Sequence, residues 1–283
     1  MHNMALSWQQ AAILAAVLVT LGVACRAATY PRLQAIAPFA RESGYVAGLY
    51  ALWQLAATVS LLGTSGAFAK ARWIVRIERD GHLPSELDAQ RLVVPHPLLA
   101  QACNLYYATM HFAGLGALLL WLFLRHRDRY PQVRTTIVLL TASCLLVQLV
   151  PVAPPRLLPS NFGFVDTAEQ YGQSVYTALK AVGPDQLSAM PSVHVGWAVL
   201  VGAVVIWLGT SRWRWLALLH PALTIFVVAA TANHFWLDGI VAVALLVLAV
   251  AVQWAGRALA TAVAARLAAG MAVPEPEAVA ISD

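Results

Sequence analysis

Charged residues are scarce in this chain of 283 residues, where Asp, Glu, Lys and Arg together account for only 11%. Soluble domains average about a quarter, so a soluble globular protein is excluded. The hydrophobic share is 60% and the mean hydropathy is +0.69, as expected for an integral membrane protein. The sequence therefore predicts an all-α fold, a polytopic bundle of membrane helices that each need about 20 apolar residues.

Cysteines are also few: three are present, and none forms a CxxC pair or stands at metal-ligand spacing from a histidine. We therefore expect no bound metal and no cofactor. The net charge of +5 is spread over short loops instead of one basic patch, which argues against nucleic acid as a partner. Residues 1–10 contain no Lys or Arg, so no cleavable signal peptide is predicted.

Seven apolar stretches are long enough to be membrane helices, which makes the bilayer the chain's expected surroundings. The predicted spans are residues 8–28, 45–69, 98–124, 135–153, 192–208, 216–232 and 237–255.

These spans divide the chain into three regions. Residues 1–97 contain two spans and a polar, amphipathic segment that we expect to lie at the headgroup level. Residues 98–256 contain the remaining five spans, and they form the predicted catalytic bundle. Residues 257–283 are Ala-rich and then acidic, and they are predicted to be a disordered cytoplasmic tail.

Three polar clusters stand at the ends of apolar stretches, where ionisable side chains are costly unless they serve a function. The first ends in Arg156, the second contains Ser192 and His194, and the third contains His234 and Asp238. With seven spans, all three fall on one face of the membrane. An arginine there can bind phosphate through two hydrogen bonds, and the predicted helix start at Ser192 favours an anion.

The third cluster predicts a nucleophile. Because His234 and Asp238 are four residues apart, we expect both on one face of a helix, with the carboxylate orienting the imidazole. Such a histidine can attack phosphorus, while His194 can protonate the leaving oxygen. Each cluster alone has an ordinary explanation, such as a helix cap, a local pair or a snorkelling arginine. Their appearance together favours a site for phosphoryl transfer.

The amino-acid sequence of the three clusters resembles the motifs of the type 2 phosphatidic acid phosphatase superfamily. A bacterial branch related to fungal inositol phosphorylceramide synthase has motifs similar to Ala-Pro-Pro-Arg-Leu, Met-Pro-Ser-Val-His-Val-Gly-Trp and Thr-Ala-Asn-His-Phe-Trp-Leu-Asp. The resemblance implies a phosphohistidine on His234, with Asp238 as its orienting partner and His194 as general acid. It also implies that Arg156 and Ser192 bind the phosphate.

The chain departs from the superfamily pattern at two places. Leu149 stands where the first motif has a lysine, and Val227 and Val228 stand where the third motif has Ser-Arg. Two phosphate-binding cations are therefore missing, which favours a transferase acting on a lipid-linked phosphate, with a polyol as candidate acceptor. A lipid or polyprenyl phosphate phosphatase is the alternative. A transporter or channel would instead predict an internal repeat and polar residues at the midplane.

The third predicted span carries Asn104, Tyr107 and His111, whose spacing places them on one helical face. Hydrogen bonding between helices would explain them equally well. The resembling branch has a similar Asn, Tyr and His pattern, which favours a role in lining the substrate pocket.

Basic residues predict the orientation. Eleven arginines fall on one face and seven basic residues on the other, so the positive-inside rule places the polar clusters on the outer face. An Ala-rich, Lys-poor composition favours a bacterial plasma membrane.

Overall fold

The computed structural model describes residues 6–58, 65–174 and 184–271. The protein is 80% helical, and the described ranges contain no strand beyond an isolated bridge between Val152 and Ser188. The predicted all-α membrane helix bundle is therefore confirmed. The helices are α1 (Trp8–Ala27), α2 (Pro31–Thr58), α3 (Ala67–Asp80), α4 (Glu86–Val93), α5 (Pro97–Arg125), α6 (Tyr130–Gln148), α7 (Thr167–Gln170), α8 (Val193–Leu208), α9 (Leu219–Ala230) and α10 (Trp236–Met271).

Within the described residues, five helical segments are long and apolar enough to cross a membrane: α1, α5, α6, Arg212–Ala230 and α10. The apolar α8 is shorter, with 16 residues. Six of the seven predicted spans correspond to these helices. The second, 45–69, lies partly outside the described residues, at 59–64. Its first part belongs to α2, which already begins at Pro31 because proline suits the first position of a helix, and its last residues, 67–69, belong to α3.

The α1–α2 pair forms a hairpin beside the rest of the bundle. Small residues let the two helices approach closely, since a Cβ at Gly44 would lie 2.7 Å from Cγ2 of Val19. The hairpin meets the bundle through an ion pair between Glu42 and Arg134 on α6.

The main bundle is built around the side chains of α5, α6, α8 and α10, which share a core that includes Leu122, Leu140 and Leu200. The chain runs up α6, down α8, up α9 and down α10. The described parts of the connection between α6 and α8, residues 149–174 and 184–192, therefore lie at the same end of the bundle as the turn 231–235. The beginning of α5 lies there too.

The predicted amphipathic segment forms two helices, α3 and α4, and they cover this end of the bundle. In α3 the buried residues are Ala67, Ala71, Ile74 and Glu78. Trp73, next to Ile74, is 56% exposed. The α3 face packs on the segments around Val152 and Phe235, and α4 packs on the end of α9.

The last helix is longer than expected. The predicted tail begins at residue 257, but α10 continues to Met271. Alanine has the highest helix propensity, so this Ala-rich stretch extends the helix instead of ending it. The prediction of disorder is therefore wrong for 257–271, and residues 272–283 lie outside the described ranges.

Candidate active site

A tight turn between α9 and α10 presents the predicted nucleophile. Beyond Ala230 the N–H groups of Asn233 and His234 both donate to the carbonyl of Val228, at 3.0 and 3.2 Å. Ala232 has a φ of +52°, a left-handed conformation that costs a residue with a Cβ about 1 kcal/mol or more. Its carbonyl accepts a hydrogen bond from the N–H of Arg156 at 2.9 Å. This turn therefore joins the first cluster to the third.

His234 is buried, and one of its ring nitrogens is held firmly. Nδ1 lies 2.7 Å from the carbonyl oxygen of Ala189 and 3.4 Å from Oδ2 of Asp238. Nε2 is buried and has no hydrogen-bond partner among the described residues. Because a carbonyl only accepts, Nδ1 carries the proton, which leaves a lone pair on Nε2.

The predicted helical face shared by His234 and Asp238 is wrong in detail. His234 lies before α10, which begins at Trp236. The two side chains still meet, because the carboxylate of Asp238 turns back towards the helix start. Its Oδ2 accepts a hydrogen bond from the N–H of Phe235 at 2.8 Å, as an acidic residue in a first helical turn can do.

His194 lies in the first turn of α8, in a cluster of rings. It stacks on Tyr107, with 4.3 Å between ring centroids, and contacts the ring of His111 at 4.3 Å. Its Nδ1 is buried without a hydrogen-bond partner. The centroid of His234 is 5.5 Å away.

This separation lies within the range of about 4.5–7 Å that is typical of aromatic rings in contact. The two imidazoles therefore pack against each other beside the ring of Tyr107.

Ser192 is fully buried at the start of α8. Its hydroxyl accepts a hydrogen bond from the N–H of Val195 at 3.4 Å, and its N–H donates to the carbonyl of Asp238 at 3.1 Å. Ser192 therefore caps α8 and ties the second cluster to the third, as its sequence position at a helix start suggests.

Arg156 is buried, with 7% of its surface exposed. Its Nε donates to Oδ1 of Asn233 at 2.9 Å, and its Nη1 pairs with Oδ2 of Asp166 at 2.8 Å. The guanidinium is thus held beside the residue that precedes the predicted nucleophile.

The three residues predicted on α5 have different surroundings. Tyr107 and His111 belong to the ring cluster, and Nδ1 of His111 bonds to the carbonyl of Tyr107 at 3.0 Å. Asn104 instead binds two residues of the connection between α6 and α8. Its amide donates to Gln173 at 3.0 Å and accepts from Thr167 at 2.9 Å.

A narrow cleft of about 280 Å³, part of which is open to solvent, lies beside the histidine pair. Seven of its eight lining residues carry polar side chains, and one of them, Tyr107, stacks on His194. The lining residues are Asn104, Tyr107, Arg156, Asp166, Ala168, Gln173, Ser174 and Asn233. Ser192, His194 and His234 are not among them.

Sequence reasoning assigned no role to four polar residues at this end of the bundle. Asn233 and Asp166 hold Arg156, and Glu78 and Glu86 bond to the start of α10. A signal existed for Glu78, because it continues the helical stripe of Ala67, Ala71 and Ile74. A carboxylate on the apolar face of an amphipathic helix indicates a buried partner.

No curated protein and no solved structure matches the chain. A family model described as the PAP2 superfamily does match, over residues 72–252. The matched part is more than half of the chain, and it includes all the candidate site residues as well as Glu78 and Glu86. Members of this superfamily are phosphatases and phosphotransferases. With its clustered histidines, buried arginine and membrane helices, the chain belongs to the PAP2 superfamily.

Proposed function

We propose that this integral membrane protein transfers a phosphoryl-linked group from a lipid through a phosphohistidine on His234. The observation that carries the proposal is the buried Nε2 of His234, for which the described part of the chain offers no hydrogen-bond partner, while Nδ1 is fixed by Ala189. A ring nitrogen with a free lone pair, held at one orientation, is suited to attack phosphorus. Family membership supports an enzyme over a transporter or channel.

The proposed reaction has two steps. His234 Nε2 attacks the phosphorus, the P–O bond to the leaving group breaks, and protonated His194 gives its proton to the departing oxygen. In the second step an acceptor hydroxyl gives its proton to His194 and attacks the phosphohistidine. The N–P bond then breaks and the electron pair returns to His234.

Arg156 and Ser192 have separate tasks in this scheme. Arg156 would supply positive charge to the phosphate at the edge of the cleft. It already pairs with Asp166, so phosphate binding requires the guanidinium to be shared. Ser192 would act from the start of α8, where the helix dipole favours an anion. Asp238 would stabilise the imidazolium that forms on His234.

The composition of the cleft supports a polyol as acceptor. Amide and carboxylate groups of Asn104, Gln173 and Asp166 line it, and such groups both donate to and accept from hydroxyls. Inositolphosphotransferase-like activity is therefore the finer proposal. Hydrolysis is the second candidate, because part of the cleft is open to solvent and water can reach the same phosphohistidine.

The arginines support a site on the outer face. The end of the bundle away from the cleft carries the loop after α5 and the segment before α9. These short connections contain Arg127, Arg129, Arg212 and Arg214, and short basic loops favour the cytoplasm.

One experiment tests both candidates. Purified protein is incubated with a short-chain phosphatidic acid or phosphatidylinositol, each with and without inositol or glycerol. Free phosphate and new phosphodiesters or phosphomonoesters are then separated and counted. Phosphate release that does not depend on the polyol would favour the phosphatase, and turnover by His234→Ala at the wild-type rate would reject the phosphohistidine.

A further inference from the structure

Three consecutive N–H groups at the start of α10 are bound by three buried carboxylates. The N–H of Phe235 donates to Asp238 at 2.8 Å, that of Trp236 to Glu86 at 3.0 Å, and that of Leu237 to Glu78 at 2.7 Å. Glu78 and Glu86 are each only 4% exposed, and Asp238 is fully buried. Two of these acceptors come from α3 and α4, the helices that cover the end of the bundle.

The sequence around the start of α10 explains why distant acceptors are needed. The first N–H groups of a helix have no partner within it, and Ser, Thr, Asp or Asn before the helix normally supplies one. Here Phe235 occupies that place and has no side-chain acceptor. Glu86 and Glu78 bond from 150 and 159 residues earlier in the chain.

The capped turn is the one that carries the site. His234 directly precedes these N–H groups, and Asp238 lies within the first turn of α10, 3.4 Å from Nδ1 of His234. A shift of this turn would move Asp238 away from the imidazole and the imidazole away from Ala189. Misplacement by about 1 Å can lower turnover roughly 100-fold.

We propose that Glu78 and Glu86 are positioning residues of the active site, which hold the first turn of α10 so that His234 and Asp238 stay aligned for phosphoryl transfer. This inference rests on the proposed function. It makes α3 and α4 part of the catalytic apparatus, although neither helix contributes a group that touches the phosphate.

The charge state of Glu78 supports a role as a neutral acceptor and not as an ion. Burial, with the neighbouring charge of Glu86 adding to it, raises the pKa of Glu78 to about 9. Burial also raises the pKa of Glu86. Glu78 is therefore protonated near neutral pH, and its carbonyl-type oxygen still accepts from Leu237. A glutamine at this position offers the same acceptor at the same reach.

Two variants separate the acceptor role of Glu78 from its carboxyl group. Glu78→Gln keeps the hydrogen-bond acceptor and the side-chain length, whereas Glu78→Asp keeps the carboxyl group but shortens the side chain by one methylene. If the role is positioning, Glu78→Gln retains kcat within roughly threefold, and Glu78→Asp lowers kcat about 10- to 100-fold with little change in KM. Glu86→Ala, which removes the acceptor of Trp236, should act like Glu78→Asp.

The matched control is Asp88→Asn. Asp88 lies in the same first turn of α4 as Glu86, but its side chain is 67% exposed and pairs with Arg91 on the surface. Removing its charge tests whether any change in α4 lowers the rate, and we expect the wild-type kcat.

Hydrogen exchange of the peptide that covers residues 231–240 provides a readout besides activity. Loss of an acceptor exposes the amides of Trp236 and Leu237, so exchange should accelerate in Glu78→Asp and Glu86→Ala but not in Glu78→Gln or Asp88→Asn. Folded Glu78→Asp and Glu86→Ala proteins with wild-type kcat, or with unchanged exchange in this peptide, would overturn the inference. Loss of kcat in Glu78→Gln equal to that in Glu78→Asp would also overturn it. If His234→Ala is as active as the wild type, the proposed function fails, while the exchange data still decide whether the two glutamates hold the turn.

Discussion

Asp238→Asn separates two roles that a carboxylate beside a histidine can have. In a triad where the carboxylate selects the tautomer, the same change costs about 10⁴-fold in kcat. Here Nδ1 of His234 is 2.7 Å from the carbonyl of Ala189 but 3.4 Å from Asp238. The second distance exceeds the usual range of about 2.7–3.2 Å for an N–H···O bond. The backbone carbonyl therefore fixes the tautomer, and the carboxylate contributes its charge.

The expected loss of rate follows from these separate roles of Ala189 and Asp238. Asparagine can still accept from the N–H of Phe235, so the cap on α10 is kept while the negative charge is lost. An opposite charge within about 4–6 Å stabilises a charged group by about 1.4–4 kcal/mol, and about 1.4 kcal/mol corresponds to a tenfold rate. Asp238→Asn should therefore lower kcat by about 10- to 1000-fold, less than loss of the nucleophile.

The assay measures initial rates on a short-chain phosphatidic acid in mixed micelles, together with trapping of the phosphorylated protein by rapid acid quench. Asp88→Asn serves as the control for loss of a carboxylate elsewhere. A loss as large as that of His234→Ala would show that Asp238, and not Ala189, sets the tautomer. An unchanged rate in Asp238→Asn would show that this residue only caps the helix.

The remaining predictions concern the nucleophile, the metal requirement, the arginine and the glutamate pair. His234→Ala should abolish both turnover and the trapped phosphoprotein, and a trapped phosphoprotein in this variant would place the intermediate on another residue. Activity should persist in excess chelator, because the proposed steps use Arg156 and two imidazoles; loss of activity that Mg²⁺ or Mn²⁺ restores would contradict them. Asp166→Asn should strengthen inhibition by inorganic phosphate several-fold, because Arg156 no longer shares its charge with a carboxylate. An unchanged inhibition constant would argue against Arg156 as the phosphate ligand. The raised pKa of Glu78, about 9 instead of 4.5, means that its contribution to stability is fully present below about pH 4.5 and is lost as the pH rises through about 9. The melting temperature of the wild type should fall over this window more steeply than that of Glu78→Gln, and equal slopes would count against the shifted pKa.

The fold class was predictable because each span leaves a long apolar run, and a membrane helix must satisfy all its backbone groups internally. The first and last residues of α2 and α10 were not predictable, since helix boundaries depend on more than hydropathy. Proline at position 31 starts a helix in a polar stretch, and alanines after residue 257 continue one beyond the apolar run. Neither the proline nor the alanines change the pattern of apolar runs from which the spans are predicted.

The end of the bundle where the site lies was also predictable, because the chain direction through the spans brings the three clusters together. The orientation of the individual histidine and tyrosine rings was not predictable, since it depends on side-chain packing among distant residues. The contact between His194 and His234 results from Tyr107 and His111 packing around them. The acceptors for α10 were missed because the hydrogen bonds of Glu78 and Glu86 join residues about 150 positions apart, which no local pattern indicates.

That distance has a consequence for how the protein is made. During synthesis α3 and α4 leave the ribosome long before α10, so Glu78 and Glu86 have no N–H groups to bind until the last helix arrives. Unpaired carboxylates are costly to bury, so the two helices can pack down only when the chain reaches α10. A chain that stops before Trp236 lacks the N–H groups that Glu86 and Glu78 bind, and we expect it to be inactive.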